Sequence, residues 1–528
     1  MKLCPDCRRD YYDETLIFCL DDGARLLSGP TGNLAHNAFY KTGGSLTNEV
    51  TQMLPTIVTP YPLPAANTIA VLPFLNLSRD EDGDYFSDGL AEELLNVLSK
   101  IPALRVAART SAFSFKGKQT TVTEIGYILN VASVLEGSIR RAGNRVRISV
   151  QLVKVEDGYQ LWSETYDRMM DDIFAVQDDI ARSVVEEIRI RLLGESSESL
   201  SRQIERDVAL AVRGRADDPE AQRLMMLGRY FLDRTTREAT DKAIGYFKQA
   251  LEIDPEYALC WAELGRAYAI GAGRSWLPPD EGYKLAKEAA ERSLSFEQDL
   301  AEGHAQLGRI KAAYEWDIRG AEASYQRALE LSPSNSSVLD GASVLAYKLG
   351  RLDEAIDLSR RAVAQDPLAA GIWHNLGLAC HAAGLLDESE KAFRRALEIA
   401  PQRIVSEALL SLVLLDAGRP EDALSEAGQE PDEFWRVWAL AIIFHASGDV
   451  EKSDANLRTV LEKFAEGNAF QIAEIYSMRN EMDQAFEWLR RAIEARDPGV
   501  THLKVNPRFR RMHSDERWPQ IVADAGLS

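Results

Sequence analysis

Residues 366–401 read DPLAAGIWHNLGLACHAAGLLDESEKAFRRALEIAP, and this stretch decides the fold of the second half of the chain. Apolar and small residues recur at helical spacing on both sides of Gly384, which predicts two helices joined by a tight turn. Proline stops a helix, and Pro333, Pro367 and Pro401 follow one another at intervals of 34 residues. The segment is therefore one copy of a repeated helical hairpin.

This copy carries a specific set of residue types at fixed positions, namely Trp373, Leu376, Gly377, Gly384, Phe393, Ala396 and Pro401. Trp and Leu pack one helix on its partner, while Gly and Ala let neighbouring helices approach closely. The pattern resembles the tetratricopeptide repeat (TPR), and the resemblance implies an all-α superhelical solenoid. Weaker copies extend it to about eight hairpins over residues 217–498, and residues 499–528 are expected to cap the last one.

The first helices of such hairpins line the concave face, with groove positions one, five and eight residues after the Trp position. The polar side chains expected there are Arg266, Arg309, Asp340, Tyr347, His374 and His381. The functional hypothesis is a groove that binds a protein or peptide partner, in which the arginines take a carboxylate and the histidines and Tyr347 add polar contacts. A solvated inner wall that binds no peptide is the open alternative.

Residues 67–195 are predicted to form an α/β (or α+β) domain. TIAVLPFLNLS (68–78) is typical of a buried strand, DYFSDGLAEELLNVLSKIP (84–102) of an amphipathic helix and LRVAARTSAFSF (104–115) of a second strand. The clearest strand prediction covers residues 146–152, where alternate residues are apolar: Val146, Ile148, Val150 and Leu152. This alternation predicts one buried face and one solvent-exposed face.

Five segments of this domain, in order, are IAVLPF, YFSDGLAEELLNVLS, LRVAARTS, VLEGSIRRAGNRVRISVQLV and LWSETYDR. They resemble the TolB amino-terminal-like domain over residues 68–193. The resemblance implies a non-catalytic assembly or sensing module, which in bacteria commonly lies between a signalling head and TPR repeats. Residues 196–216 are expected to be a helical connection to the solenoid.

The amino-terminal segment 1–28 has the outline of a zinc ribbon. Cys4-x2-Cys7 and Cys19-x2-Asp22 supply two short knuckles, and zinc takes four ligands of thiolate, imidazole or carboxylate type. Asp22 is the expected fourth ligand of a structural Zn²⁺, with Asp21 and His36 as alternatives. The fragment resembles zinc-ribbon appendages of bacterial signalling proteins, and residues 29–66 are expected to be a flexible linker.

Bulk composition limits the function classes. The net charge of −21 argues against a nucleic-acid surface, because phosphate contacts need clustered Lys and Arg. Five cysteines, three of them clustered, favour reduced cytoplasm, and prolines in the uncharged stretch 50–78 argue against a membrane span.

The chain is therefore expected to be multidomain, with a small zinc ribbon, an α/β domain and an all-α TPR solenoid. Its expected role is that of a non-enzymatic, cytoplasmic scaffold or adaptor in bacterial signalling. Two rivals stay open: a signalling protein with nucleotide-linked catalytic activity, although no cyclase, kinase or protease motif is found, and a transcription regulator that binds DNA through the ribbon.

Overall fold

The computed structural model describes three two-residue strands within residues 1–28 and most of residues 64–527. The omitted residues in the second range are 79–82, 100, 102–103, 143–144, 170–172, 194–215, 217, 233–235 and 275. The chain divides into two compact units, residues 1–60 and 61–528. In the first unit, β1 (Lys2–Leu3) pairs antiparallel with both β2 (Asp10–Tyr11) and β3 (Leu27–Ser28).

The predicted metal ligands Cys4, Cys7, Cys19 and Asp22, and the alternatives Asp21 and His36, lie outside the described residues. Most of the predicted linker lies outside them as well. The zinc-ribbon hypothesis therefore stays a prediction.

The second unit begins with a six-stranded sheet, which we call the α/β unit together with its helices. Its strands are β4 (Thr68–Val71), β5 (Leu75–Asn76), β6 (Arg105–Val106), β7 (Ser133–Ala142), β8 (Arg145–Lys154) and β9 (Gln160–Met169). Its helices are α1 (Gly83–Ser99), α2 (Arg109–Phe113), α3 (Val122–Leu129) and α4 (Ile173–Leu193). The strand order is β6-β4-β7-β8-β9, with β5 also paired to β7; β4 runs parallel to β6 and β7, whereas β7, β8 and β9 are antiparallel.

Helices cover both faces of this sheet, because β4 has apolar side chains on both sides. Ile69 and Val71 belong to the core beneath α1 and α4. Ala70 and Leu72 belong to the core beneath α2 and α3. The alternating strand prediction is confirmed, since Val146, Ile148, Val150 and Leu152 are all buried in the first of these cores.

The predicted second strand is wrong over most of its length. Within residues 104–115 only Arg105–Val106 form a strand, and Arg109–Phe113 form the helix α2. The side chains of Thr110 and Ser111 both bond to Asp366. A strand would point these neighbouring side chains to opposite faces, whereas a helix turns both towards one acceptor.

Among the described residues between Pro219 and Glu494, eight consecutive helix pairs follow, so the predicted helical solenoid is confirmed. The first helices of the pairs are α5 (Pro219–Leu232), α7 (Ala258–Gly273), α9 (Ala301–Ile310), α11 (Ser336–Lys348), α13 (Ala370–Ala383), α15 (Ser406–Asp416), α17 (Glu433–Ala446) and α19 (Ala469–Met478). The second helices are α6 (Arg237–Ile253), α8 (Pro279–Phe296), α10 (Ile318–Leu331), α12 (Leu352–Gln365), α14 (Leu386–Ile399), α16 (Pro420–Gln429), α18 (Val450–Lys463) and α20 (Met482–Glu494). A π turn, Lys311–Glu315, follows α9.

Successive first helices approach one another closely along most of the stack, for example α7 with α9 and α17 with α19. In a curved stack of such hairpins the first helices line the concave side. We call the side formed by the first helices the inner face.

The repeat residues have the roles that the sequence predicts. A Cβ on Gly377 would lie 2.9 Å from the Phe393 ring of the partner helix, so this position must be small. Gly384 has φ of 80° in the turn, a conformation that favours glycine. The Trp373 indole donates to the Pro367 carbonyl at 2.9 Å and so ties α13 to the preceding turn.

The carboxyl-terminal segment, residues 498–527, has two 3₁₀ turns, Pro498–His502 and Pro507–Met512, and a last helix, α21 (Trp518–Asp524). It packs on α19 and α20 through Phe509 and Trp518. Among the described residues, no helix is long and apolar enough to cross a bilayer.

Candidate functional site

The amino-terminal end of the inner face is covered by the α/β unit. Helix α1 approaches α5 so closely that a Cβ on Gly89 would lie 2.5 Å from the Met226 sulfur. Glycine at this position therefore permits the two helices to meet.

A chain of alternating carboxylates and guanidinium groups crosses this contact. Its ion pairs are Arg109 Nε to Glu92 Oε2 at 3.0 Å, Arg229 Nη1 to Glu92 Oε1 at 2.7 Å, Arg229 Nη2 to Glu263 Oε1 at 3.0 Å, and Arg266 Nε to Glu263 Oε2 at 2.8 Å. Arg109 and Glu92 belong to the α/β unit, whereas the other three side chains lie on α5 and α7. We call these five residues the charge chain.

The side chains of the charge chain stay ionised although they are buried, because their opposite charges outweigh the cost of desolvation. Desolvation alone would raise the pKa of Glu263, but Arg266 and Arg229 outweigh it and lower that pKa to about 2. Desolvation alone would likewise lower the pKa of Arg229, but Glu263 and Glu92 hold it above its ordinary value. Both side chains are therefore charged throughout the physiological pH range.

The α/β unit also contacts the turn between α12 and α13. Asp366, 3% exposed, accepts hydrogen bonds from the Thr110 and Ser111 hydroxyls. The Leu368 amide donates to the Ser111 Oγ at 2.8 Å. The α/β unit therefore touches the solenoid at two separated places, hairpins one and two and the start of hairpin five.

The carboxyl-terminal segment covers another part of the inner face. The His502 ring packs edge-on against Tyr347 of α11 at 5.4 Å, and Val505 joins the core between α11 and α13. Arg510 Nη2 donates to the Ala382 carbonyl at 2.6 Å. The segment thus reaches back to hairpins four and five in addition to packing on the last one.

A cleft of about 500 Å³ stays open between this segment and the inner face. It is lined by His381, Gly384, Leu386, Leu412, Leu415, Asp416, Ile442, Met478, Pro507, Arg508, Arg510 and Arg511. We call it the arginine cleft.

The two predicted groove histidines are internal. His374, 7% exposed, bonds through Nδ1 to the Ser406 hydroxyl at 2.9 Å, and burial lowers its pKa to about 3. His381 bonds through Nε2 to Asp416 at 2.7 Å; burial lowers its pKa to about 4, although Asp416 opposes that shift. Both imidazoles are neutral at pH 7, and His374 has no surface to offer a partner.

The other four predicted groove residues divide between internal and accessible positions. Tyr347 is buried beneath the carboxyl-terminal segment, and burial raises its pKa. Asp340 accepts a hydrogen bond from Asn375 at 2.9 Å. Arg266 belongs to the charge chain, whereas Arg309 is exposed on α9.

Sequence reasoning missed Glu92, Arg229 and the arginines of the carboxyl-terminal segment. Arg229 stands five residues after Leu224, the Trp position of the first hairpin, and so occupies the same repeat position as Arg266 and Arg309. The spacing was therefore available as a signal. The run PRFRRM (507–512) is basic within an acidic chain, but nothing in its sequence indicates that it returns to the inner face.

Comparison with known proteins identifies the repeats. Residues 312–370 and 341–404 match the family model described as tetratricopeptide repeat. These residues are tetratricopeptide repeats. Repeats of this family commonly form extended surfaces that bind other proteins.

Two curated relatives are similar over part of their length. Putative adenylate cyclase 3 of Rhizobium meliloti (strain 1021) is 36% identical over 271 residues, which are 50% of this chain and 43% of the relative. Human cilia- and flagella-associated protein 70 is 30% identical over 172 residues, 32% of this chain and 14% of the relative. The chain thus spans less than half the length of either relative.

Two solved structures are similar to part of this chain, at low identity and low TM-score. The pilF protein of Pseudomonas aeruginosa has 16% identity and a TM-score of 0.34, covering 42% of this chain and 96% of that one. YrrB, described as a TPR protein with an unusual peptide-binding site, has 20% identity and a TM-score of 0.26, covering 42% and 100%. Neither likeness carries an argument about function.

Proposed function

We propose that this chain is a non-enzymatic adaptor of bacterial signalling, in which the solenoid holds the α/β unit at one end of its inner face and binds a protein partner elsewhere along it. The observation that supports this most is the charge chain. Arg229 and Arg266 stand at groove positions, and the carboxylate nearest Arg229 comes from another folded unit, at 2.7 Å.

The physical argument concerns what such a surface recognises. Guanidinium groups that are held by a neighbouring carboxylate, as Arg229 is by Glu263, bind an incoming carboxylate with little loss of side-chain entropy. Arg309 repeats the same groove position one hairpin further on and is exposed. An acidic side chain of a partner would meet Arg309 as Glu92 meets Arg229.

The remaining parts of the proposal rest on the sequence. The α/β unit would be a TolB amino-terminal-like module that assembles or senses without catalysis. Residues 1–28 would be a ribbon closed by a structural Zn²⁺ on Cys4, Cys7, Cys19 and Asp22, and the chain would work in the cytoplasm. Three thiolates with one carboxylate are a donor set that zinc accepts.

Partner capture by the full-length chain tests the proposal. Arg309→Glu should weaken capture at least about tenfold, because it places a negative charge where a partner carboxylate is expected. The matched control is Arg395→Glu on the second helix α14, where the arginine pairs with Glu398 of its own helix at 2.8 Å. Equal capture by both variants would contradict a role for the inner face.

A second candidate function follows from the name of one relative. Because putative adenylate cyclase 3 matches half of this chain, nucleotide cyclase activity is the alternative to a purely binding role. Incubation of the purified full-length chain with ATP and either Mg²⁺ or Mn²⁺, followed by detection of cyclic AMP, separates the two. Product formation that scales with enzyme concentration would overturn the non-enzymatic proposal.

A further inference from the structure

The arginine cleft contains a buried cation, Arg508, whose Nη2 atom has no hydrogen-bond partner among the described residues. Arg508 is 6% exposed, and its Nη2 atom is fully buried with no hydrogen-bond partner. Within the described part of the chain, its guanidinium donates no hydrogen bond and forms no ion pair; the nearest aromatic ring, that of Trp438, has its centroid 5.9 Å away. A buried charge without hydrogen bonds is costly, so a ligand that supplies acceptors would relieve a real penalty.

Two more arginines are aimed into the same cleft by backbone carbonyls. Arg510 Nη2 donates to Ala382 and Arg511 Nη1 donates to Met478, at 2.6 and 2.9 Å. Each contact uses one of five N–H donors and neutralises no charge. Both side chains are therefore held in place with donors to spare.

The charges that line the cleft do not balance. Three guanidinium groups face one carboxylate, Asp416, which accepts a hydrogen bond from the neutral His381. The lining thus carries a net charge of about +2 in a chain whose net charge is −21. Glu474 lies near Arg508 but does not line the cleft; burial raises its pKa to about 7, so it offsets Arg508 only in part.

The walls favour a compact anion. Leu412, Leu415, Ile442 and Met478 line the cleft beside the arginines and reduce the water that screens them. A phosphate monoester carries about −1.5 to −2 charges at neutral pH and offers three acceptor oxygens, which matches the surplus of charge and of donors. A single carboxylate would leave about one positive charge unmatched.

We propose that the arginine cleft binds the phosphate group of a small phosphorylated ligand, with Arg508, Arg510 and Arg511 as its donors. This site does not include Arg309 or the charge chain, so a failure of partner capture would not contradict phosphate binding. The ligand would also bridge α13 and α19 to the carboxyl-terminal segment and so stabilise the folded chain by mass action.

Calorimetric titration and thermal unfolding of the full-length chain at constant ionic strength test the proposal. The probes are inorganic phosphate and AMP, with sodium chloride of equal ionic strength as the reference. The variants are Arg508→Met and Arg511→Gln, and Arg395→Gln is the matched control outside the cleft.

At least one phosphate probe should bind and raise Tm, and each cleft variant should weaken that binding at least about tenfold while the control leaves it unchanged. If AMP binds much more tightly than inorganic phosphate, the ligand of the cleft is a phosphate ester. Equal affinities would indicate that free phosphate is the ligand. Arg508→Met should keep or raise the Tm of the unliganded chain, because it removes a buried guanidinium group that donates no hydrogen bond and that Glu474 offsets only in part.

Two results would overturn the proposal. One is that neither probe binds at 10 mM, roughly the weakest affinity that such a site would have. The other is that Arg508→Met and Arg511→Gln bind the probe as tightly as the wild-type chain. Because Arg511 is exposed, its variant remains informative even if Arg508→Met fails to fold.

Discussion

Replacing Glu263 by glutamine tests whether the charge chain holds the α/β unit on the solenoid. The side chain keeps its size and one acceptor oxygen but loses the charge that faces Arg229 at 3.0 Å and Arg266 at 2.8 Å. Because Glu263 is 8% exposed, solvent screens these contacts little.

The magnitude follows from the pKa of this carboxyl. A fall from the ordinary value of 4.5 to about 2 corresponds to about 3 kcal/mol of stability at pH 7. A lowered pKa contributes stability that is fully present above the unfolded value and is lost as the pH falls through the folded value. About 1.4 kcal/mol should remain at pH 3, so the difference between wild type and Glu263→Gln should shrink by more than half between pH 7 and pH 3.

Hydrogen exchange measured by mass spectrometry localises the effect. At pH 7 the amides of α5 and α7 should exchange about 100-fold faster in Glu263→Gln, whereas those of α17–α20 should be unchanged. The control is Glu330→Gln, which removes an exposed pair with Arg327 and should change little. Unchanged exchange in α5 and α7, or a difference that persists undiminished at pH 3, would refute the reasoning.

Three other predictions concern the core, the thiols and the metal. Phe509→Ala should destabilise the carboxyl-terminal end by about 3–5 kcal/mol, since Phe509 is fully buried against Phe470. Urea unfolding, followed by hydrogen exchange in α19 and α20, should show this loss. A loss below about 1 kcal/mol would contradict the prediction. Cys260 and Cys380 should not react with a thiol reagent in the native chain, because both are buried and burial raises their pKa, that of Cys380 to about 12. Reaction of either thiol before unfolding would contradict its burial. Elemental analysis should find about one zinc per chain, lost on Cys19→Ser, and a metal-free wild type would end the ribbon hypothesis.

The solenoid could be predicted because each hairpin repeats the same local physics. Gly384 must adopt positive φ, and Gly377 must clear the Phe393 ring, so the residue types recur with the period of the fold. The buried strand β8 could be predicted for a similar reason, since the alternation of its side chains depends only on which face is wet.

Long-range contacts could not be predicted in this way. The local residue pattern predicts a strand where α2 forms, because the bonds of Thr110 and Ser111 go to Asp366, more than 250 residues away in sequence, and no local pattern shows them. The burial of Tyr347 depends on a carboxyl-terminal segment that returns over the inner face. No local pattern in either segment encodes where its partner lies.

The packing of the α/β unit on the solenoid also decides which groove positions are accessible to a partner. Arg229, Arg266 and Arg309 share one repeat position, yet only Arg309 stands clear of the charge chain. The repeat pattern supplies the candidates, and the docking of the α/β unit selects among them.

Engineered cross-linking tests most directly that the solenoid holds the α/β unit. The Thr110 hydroxyl donates a hydrogen bond to the Asp366 carboxylate across 256 positions of sequence, so cysteines at both sites lie within reach of a short thiol-to-thiol cross-linker. Such a reagent should join Thr110→Cys/Asp366→Cys within one chain in high yield, while the control Thr110→Cys/Asp357→Cys, with its second cysteine on the exposed side of α12, should give little product. A failure to cross-link the first pair, or cross-linking only between chains, would contradict the account.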